Sequence, residues 1–482
     1  VNPAPSARDR RWLALVLLAG AQFLVVLDAT VVNVALPHIQ EDLHFSASNL
    51  QWVINAYTLT FGGFLLLGGR AADLFGRRRV FMTGIALFAT ASLVAGLSSS
   101  EGMLIAARAV QGLGGAIVSP AALSIVMNTF AEGSDRNKAL GVWGAVAGAG
   151  GAVGSLLGGV LTDAVGWEWV FFINVPIAVG ILVGSPILLG ESRADEDARQ
   201  GFDVAGALTV TAGLALLIFT LVNTTDHGWG SARTLLGFAG AVVLLVLFGL
   251  REATARSPLI RLGILRSRTR SGANVSAMLA VAGMMGMFYF LSLYMQQVLG
   301  ASAMRTGFQY LPLAVTIFVT AGAASSFVTK VGVRPVLVSG FILAAIGLLW
   351  FSRVSSDGSY LSDVLFPSIV VAVGIGLFFV AGTLAATAGV APDEAGLASG
   401  LVNTSQQVGG AVGLAVLSTL AATRTTNALG DGSSAAVAAV EGFQIAFLVG
   451  AGFAIVGAII AFVFVRPSAA EIAQAEAAVV AA

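Results

Sequence analysis

Long apolar runs, broken by short polar stretches, fill most of this chain. A helix needs about 20 apolar residues to cross a bilayer. Fourteen segments reach that scale: residues 13–36, 49–69, 80–98, 103–127, 138–162, 168–190, 204–223, 232–250, 272–298, 306–329, 334–352, 361–388, 395–422 and 441–465. The pattern predicts an all-α polytopic membrane protein.

Composition agrees. Of 482 residues, 57% are hydrophobic and 10% charged, with a mean hydropathy of +0.90. A soluble domain carries about 25% charged residues. So little charge cannot cover so much apolar surface in water, so lipid is the solvent for most of the chain. Net charge is zero, which gives no reason to expect a nucleic-acid partner. The absence of cysteine excludes disulfides and thiolate metal sites. His38, His44 and His227 lie near predicted loops and not at ligand spacing, so no metal is expected. The basic start, Arg8 to Arg11, mimics a signal peptide. The apolar run after it continues past 20 residues without a cleavage-like site, so it reads as a retained first span. The bias to Ala, Gly, Val and Arg suggests a GC-rich bacterial genome.

The basic residues predict orientation. With the N-terminus cytoplasmic, 20 of the 25 Lys and Arg fall inside. Only Arg233, Arg305, Arg353 and Arg424 fall outside, and Arg108 lies within a span. Both termini are therefore expected in the cytoplasm of a bacterial cell with the chain in its inner membrane. Polar linkers divide the chain into six, two and six spans. The expected units are an N-terminal six-helix bundle (1–190), a linker with two additional spans (191–270), a C-terminal six-helix bundle (271–466) and a cytoplasmic tail (467–482). The turn at 69–79 has a faint counterpart at 325–334, as two repeated halves would show.

Three motifs carry the candidate chemistry. In the first, Gly69 and Gly76 permit a tight turn between spans 2 and 3, and Asp73 can pair with arginines such as Arg77 and Arg78. Simple positive-inside anchoring is the alternative. In the second, Asp28 in span 1 and Arg108 in span 4 are ionisable groups inside the membrane, which are costly and so functional by default. At 1.5 Å per residue, Asp28 lies about 22 Å from the inner end of span 1 and Arg108 about 8 Å from the outer end of span 4. Similar depths allow one polar network, direct or through Gln111 and water. A purely structural pair pinning the two spans is the alternative. In the third, Gly150, Gly154 and Gly158 recur at i+4 in span 5, a smooth strip for close helix packing.

These stretches resemble known motifs. Gly69 to Arg79 is similar to the loop signature of the major facilitator superfamily, with Ala71 where leucine is usual. The glycine strip resembles the antiporter signature of that superfamily's drug exporters, with Ser155 where proline is usual. Trp167 to Pro176, Tyr289 to Gln297 and Ala398 to Gly409 look like the matching segments of fourteen-span drug:proton antiporters, although Glu168 replaces a residue more often basic.

The resemblance implies two six-helix bundles plus two extra central spans, alternating access, and export of small drug-like molecules coupled to proton entry. The 69–79 turn would then be a conformational latch. It also implies a central cavity, with Asn33, Asn55, Tyr57, Gln111, Asn274, Tyr289, Tyr294, Gln296, Gln309, Asn403 and Gln407 as candidate polar lining. Met284, Met285, Met287 and Phe288 are the adaptable apolar candidates. Asp28 is the expected proton carrier: burial opposes and a nearby guanidinium favours the charged carboxylate, so a changed distance between states would move protons. No ATP-binding loop is present. No enzymatic constellation is present either, so neither enzyme activity nor a cofactor is expected beyond the coupling proton. The expected partners are a small-molecule substrate and the bilayer, and the chain is expected to act as a monomer. Rival readings are a same-fold exporter of one endogenous metabolite, antibiotic, lipid-like compound or siderophore, and a membrane sensor that transports nothing. Spans 7 and 8 read as a peripheral pair filling space between the halves.

Overall fold

The computed structural model describes residues 7–46, 48–130, 134–192, 203–255, 258, 263, 266–390 and 395–466. They are helical almost throughout. In chain order the helices are α1 (Ala7–Asp42), α2 (Trp52–Phe75), α3 (Arg77–Gly96), α4 (Glu101–Thr129), α5 (Ser134–Val165), α6 (Trp169–Phe172), α7 (Asn174–Leu188) and α8 (Val204–Val222). There follow α9 (Thr224–His227), α10 (Ala232–Thr254), α11 (Arg268–Leu293), α12 (Ala303–Val331), α13 (Val333–Phe351), α14 (Phe366–Thr387), α15 (Ala395–Gly430) and α16 (Ala435–Phe464). A π-helical turn, Tyr294–Val298, extends α11, and another, Tyr360–Leu365, leads into α14.

Helix is what a lipid solvent demands, because each backbone N–H and C=O must find its partner within the segment. Where helices reach the polar boundary, serine starts them. Ser100, Ser231, Ser267, Ser302 and Ser434 each accept a bond from the N–H three residues on. Among the described residues, 12 helices are long and apolar enough to cross a membrane. The predicted segments match helices throughout, but several helices outrun them. α1 begins at Ala7 and ends at Asp42, and α15 continues to Gly430. Hydropathy marks only the hydrocarbon layer, while helical hydrogen bonding continues past it.

The two turns likened in the sequence share one device. Gly76 joins α2 to α3 at φ 105°, and Gly332 joins α12 to α13 at φ 92°. Side chains other than hydrogen rarely tolerate that region.

Helices α1 to α7 pack mostly on one another, and so do α11 to α16. The two sets meet where α5 runs along α12 and α2 along α15. Glycine sets the first approach: a Cβ on Gly307 would stand 2.7 Å from the Ser155 carbonyl oxygen, and one on Gly159 would strike the Ala303 backbone. Helix α8 fills the seam of the second. Its Leu214 and Ile218 join Leu59 of α2 and Ala411 and Ala415 of α15 in one apolar cluster. The Thr419 hydroxyl also donates to the Leu221 carbonyl, 3.3 Å away. Helix α10 packs on α8 and leaves Leu236, Val242 and Leu250 exposed.

Candidate functional site

Asp28 faces the interior of the first helix set. Its Oδ2 accepts from Arg108 Nη1 at 2.6 Å, and its Oδ1 accepts from Gln111 Nε2 at 2.7 Å and Asn174 Nδ2 at 2.9 Å. Arg108 and Gln111 lie three residues apart on α4, so one helix face delivers both to the same carboxylate. The guanidinium is itself held on three sides. Its Nη1 also donates to Gln111 Oε1 at 2.7 Å, its Nε donates to the Val53 carbonyl at 2.9 Å, and it sits 4.3 Å from the centroid of the Tyr57 ring. Asn174 donates onward to Ser92 Oγ at 3.1 Å, and Ser92 donates to the Phe171 carbonyl at 2.8 Å. The Asn174 amide oxygen has no hydrogen-bond partner among the described residues.

Asp28 is 0% and Arg108 1% exposed, so neither water nor lipid reaches the pair in this conformation. A buried ion pair survives only when geometry and further hydrogen bonds offset desolvation. Three donors on the carboxylate and an aromatic face under the cation supply that offset. Of the two routes left open by the sequence, direct or through Gln111, both are present: Asp28 meets Arg108 directly, and Gln111 contacts each of them.

The glycine strip holds α1 from its other side. Gly150 packs on Val26, Gly154 on Thr30 and Gly158 on the Val31 carbonyl, one turn at a time. The Thr30 hydroxyl donates to the Gly150 carbonyl at 3.4 Å. Helix α1 thus runs between a strip it can touch with backbone and a polar cluster it feeds with Asp28.

Toward the Asp42 end of α1 the two helix sets are tied together. Ser292 donates to the Asn33 carbonyl at 2.8 Å, and Gln296 Nε2 to the Val34 carbonyl at 2.9 Å. Gln297 Nε2 donates to Gln40 Oε1 at 3.0 Å. Asp163 accepts from the N–H groups of Ala303 and Met304, 3.1 and 2.8 Å away, and so caps α12 from α5. Sequence reasoning alone does not single out Ser92, Asp163, Asn174 or Ser292.

Several residues expected to line a cavity lie elsewhere. Gln111 and Tyr57 belong to the buried Asp28 cluster. Asn55 is buried and donates to Gln51 Oε1 at 3.2 Å. Met287 and Tyr289 are buried in an apolar cluster that draws residues from both helix sets. The Tyr294 hydroxyl donates to the Ser355 carbonyl at 2.8 Å and to Asp363 Oδ2 at 3.0 Å, so it ties α11 to the approach to α14. Asn274 donates to the Arg270 carbonyl and accepts from Ser405, within the second set. A polar tip in a span looks the same in sequence whether it faces a cavity or a neighbouring helix. At the meeting of the two sets lie Asn33, which donates to the Ala29 carbonyl at 3.3 Å, Gln296, and Gln407, whose Cβ lies where a side chain on Gly62 would stand. Gln309 is partly buried on α12, its carbonyl accepting from Tyr360, and Asn403 is exposed on α15.

The turn after α2 is gripped by the segment 189–192 that follows α7. Arg77 N donates to the Ser192 carbonyl at 2.9 Å. Arg78 N donates to Glu191 Oε1 at 3.1 Å, and Arg78 Nη1 to the Leu189 carbonyl at 3.0 Å. The guanidinium groups of Arg78 and Arg79 also approach Glu191, at 3.8 and 3.6 Å. A Cβ added at Gly69 would meet only Pro120, at an ordinary contact distance of 3.5 Å. The Asp73 side chain lies outside the described residues, as do the tail 467–482 and linker residues 193–202. Helix α7 and the segment 189–192 that follows it therefore link Asn174 on the buried carboxylate to the 76–79 turn. Among the described residues no group of three or more His, Cys, Asp or Glu is placed to hold a metal.

Residues 18–414 match the family model of the Major Facilitator Superfamily. The chain is 40% identical over 449 residues to the puromycin resistance protein pur8 of Streptomyces alboniger, covering 92% of this chain and 89% of that one. It is 41% identical over 415 residues to the cephamycin export protein CmcT of Amycolatopsis lactamdurans, covering 86% and 85%. The fold superposes on the crystal structure of the POT family transporter PepTSo with a TM-score of 0.71 at 16% identity, covering 96% and 98% of the two chains.

Proposed function

The chain belongs to the major facilitator superfamily, and we propose that it exports small, drug-like molecules in exchange for protons by alternating access. The observation that carries this reading is the Asp28–Arg108 pair, buried at 2.6 Å inside a helix set whose relatives include proteins named for puromycin resistance and cephamycin export. Those names favour an antibiotic-like cargo over a siderophore or a sensing role.

The chemistry follows from the contacts. Ionised, Asp28 accepts three hydrogen bonds and holds α1 to α4 and α7. Protonated, it loses its attraction for Arg108 and part of its accepting capacity. Arg108 keeps the Val53 carbonyl and Gln111 as partners, so the cluster has a second arrangement available. A proton arriving from outside would loosen α1 within the first set, and release to the cytoplasm would restore the clamp. Each state then favours a different meeting of the two helix sets.

Fourteen spans complete the architecture when α2 and α5, of 24 and 32 residues, are counted with the others. The basic-residue bias supports a reading with both termini in the cytoplasm. The end closed by Asp163 and Gln296 then faces outward, and the 76–79 turn works as a cytoplasmic latch. Cargo would pass between the sets, near Asn33, Gln296 and Gln407, in a monomer with two six-helix halves and with α8 and α10 alongside. The test is dye efflux from cells expressing the chain. Efflux abolished by a protonophore and by Asp28→Asn supports the reading. Efflux that persists at full rate in either case overturns it.

A further inference from the structure

A groove of about 350 Å³ opens between α13 and the turn leading into α14. It is lined by Ile346, Leu349, Trp350, Arg353, Val354 and Asp363. That volume is in the range of small-ligand sites. No residue of the Asp28 cluster lies on these elements.

Ile346, Leu349 and Trp350 recur at i, i+3 and i+4 and share one face of α13, and Arg353 lies in the turn that follows its last residue, Phe351. The first three are exposed, so this face meets lipid. Trp350 stacks on Phe366 of α14, with ring centroids 6.5 Å apart, which braces the groove wall. Tryptophan is enriched where hydrocarbon gives way to headgroups. One turn beyond it stands Arg353, exposed and without a side-chain partner among the described residues. Asp363 closes the other side. It accepts from the Tyr294 hydroxyl at 3.0 Å and the Ser362 hydroxyl at 2.7 Å, and among the described residues no cation pairs with it. Ser355 also donates to Asp363 from its N–H and hydroxyl, at 3.4 and 3.5 Å, so the carboxylate is hydrogen-bonded but has no cation partner among the described residues. One groove therefore holds a positive and a negative charge, unpaired with each other, beside an apolar wall.

We propose that this groove binds a phospholipid with an amine headgroup. An acyl chain lies along Ile346, Leu349 and Trp350, the phosphate meets Arg353, and the ammonium meets Asp363. An anionic lipid satisfies only half of the site, because Asp363 repels its headgroup. By the orientation proposed above the lipid belongs to the outer leaflet, but the binding chemistry does not depend on that orientation.

The test uses the full chain, purified in detergent and titrated with phosphatidylethanolamine or phosphatidylglycerol, with bound lipid counted by native mass spectrometry. The expected result is several-fold more phosphatidylethanolamine retained than phosphatidylglycerol. Arg353→Gln should lose most binding of both lipids. Asp363→Asn should lower the preference for the amine lipid while phosphatidylglycerol binding holds or rises. If Asp363→Asn fails to fold for want of its Tyr294 bond, Arg353→Gln, an exposed and unpaired position, carries the test alone. Unchanged binding in Arg353→Gln, or equal retention of both lipids by the unmodified chain, overturns the proposal.

Discussion

The Asp163 carboxylate on α5 accepts the backbone N–H of Ala303, 3.1 Å away at the first turn of α12, and so fastens one helix set to the other. Unpaired N–H groups and the helix dipole favour an anion there, at this exposed position by about 0.3–1 kcal/mol. Asp163→Asn should shift the balance toward the state open at this end by about 2- to 5-fold. The natural sequence has no cysteine, so a single Ser302→Cys reporter suffices. Its labelling by a membrane-impermeant maleimide should speed up in Asp163→Asn, and an unchanged rate would deny Asp163 a gating role.

Asn174 is the arm of the Asp28 cluster that reaches α3 through Ser92. Asn174→Ala removes a donor from a buried carboxylate, a change costing about 1–3 kcal/mol. The expected outcome is a lower unfolding midpoint in detergent and slower efflux. Ser92→Ala should cost less, since Asn174 would still donate to Asp28.

The glycine strip gives a prediction with an internal control. A side chain on Gly158 would meet the Val31 backbone carbonyl, which cannot step aside. Gly158→Val should destabilise by about 1–3 kcal/mol or more, through overpacking. At Gly180 a methyl group would have no neighbour within 4 Å, and Gly180→Ala should be neutral. Yield and thermal unfolding of the two variants in detergent check the contrast.

Just past the other end of α7, Glu191 meets Arg78 N and two guanidinium groups around the 76–79 turn. These charges are partly solvated, so Glu191→Ala should change global stability by less than about 1 kcal/mol. Local opening is the expected effect. Amide exchange at Arg77 to Arg79 should accelerate, and no acceleration would show that Leu189 and Ser192 hold the turn by themselves.

Much of this was legible in the sequence because the solvent is lipid. A long apolar run has few options other than helix, so spans and their order follow from hydropathy. Asp28 and Arg108 stood out because charge inside a span is rare, and helix rise alone put them at similar depth. Asn174 and Ser92 did not stand out, because an amide or hydroxyl in a span is commonplace and its partner lies on another helix. Asp163 lies at a helix end, where any carboxylate reads as solvated. Tyr294 was misplaced for the converse reason: its polar tip suggested a cavity, while its partners, Ser355 and Asp363, come from a loop and a turn some 60 residues on.

Proton flux in proteoliposomes measures the central claim most directly. With the chain reconstituted and a pH-sensitive dye inside, adding a transported cation should drive proton movement opposite to the cargo. Asp28→Asn should bind the cargo yet move no protons with it. Cargo-driven proton movement at the unmodified rate in Asp28→Asn would contradict the account.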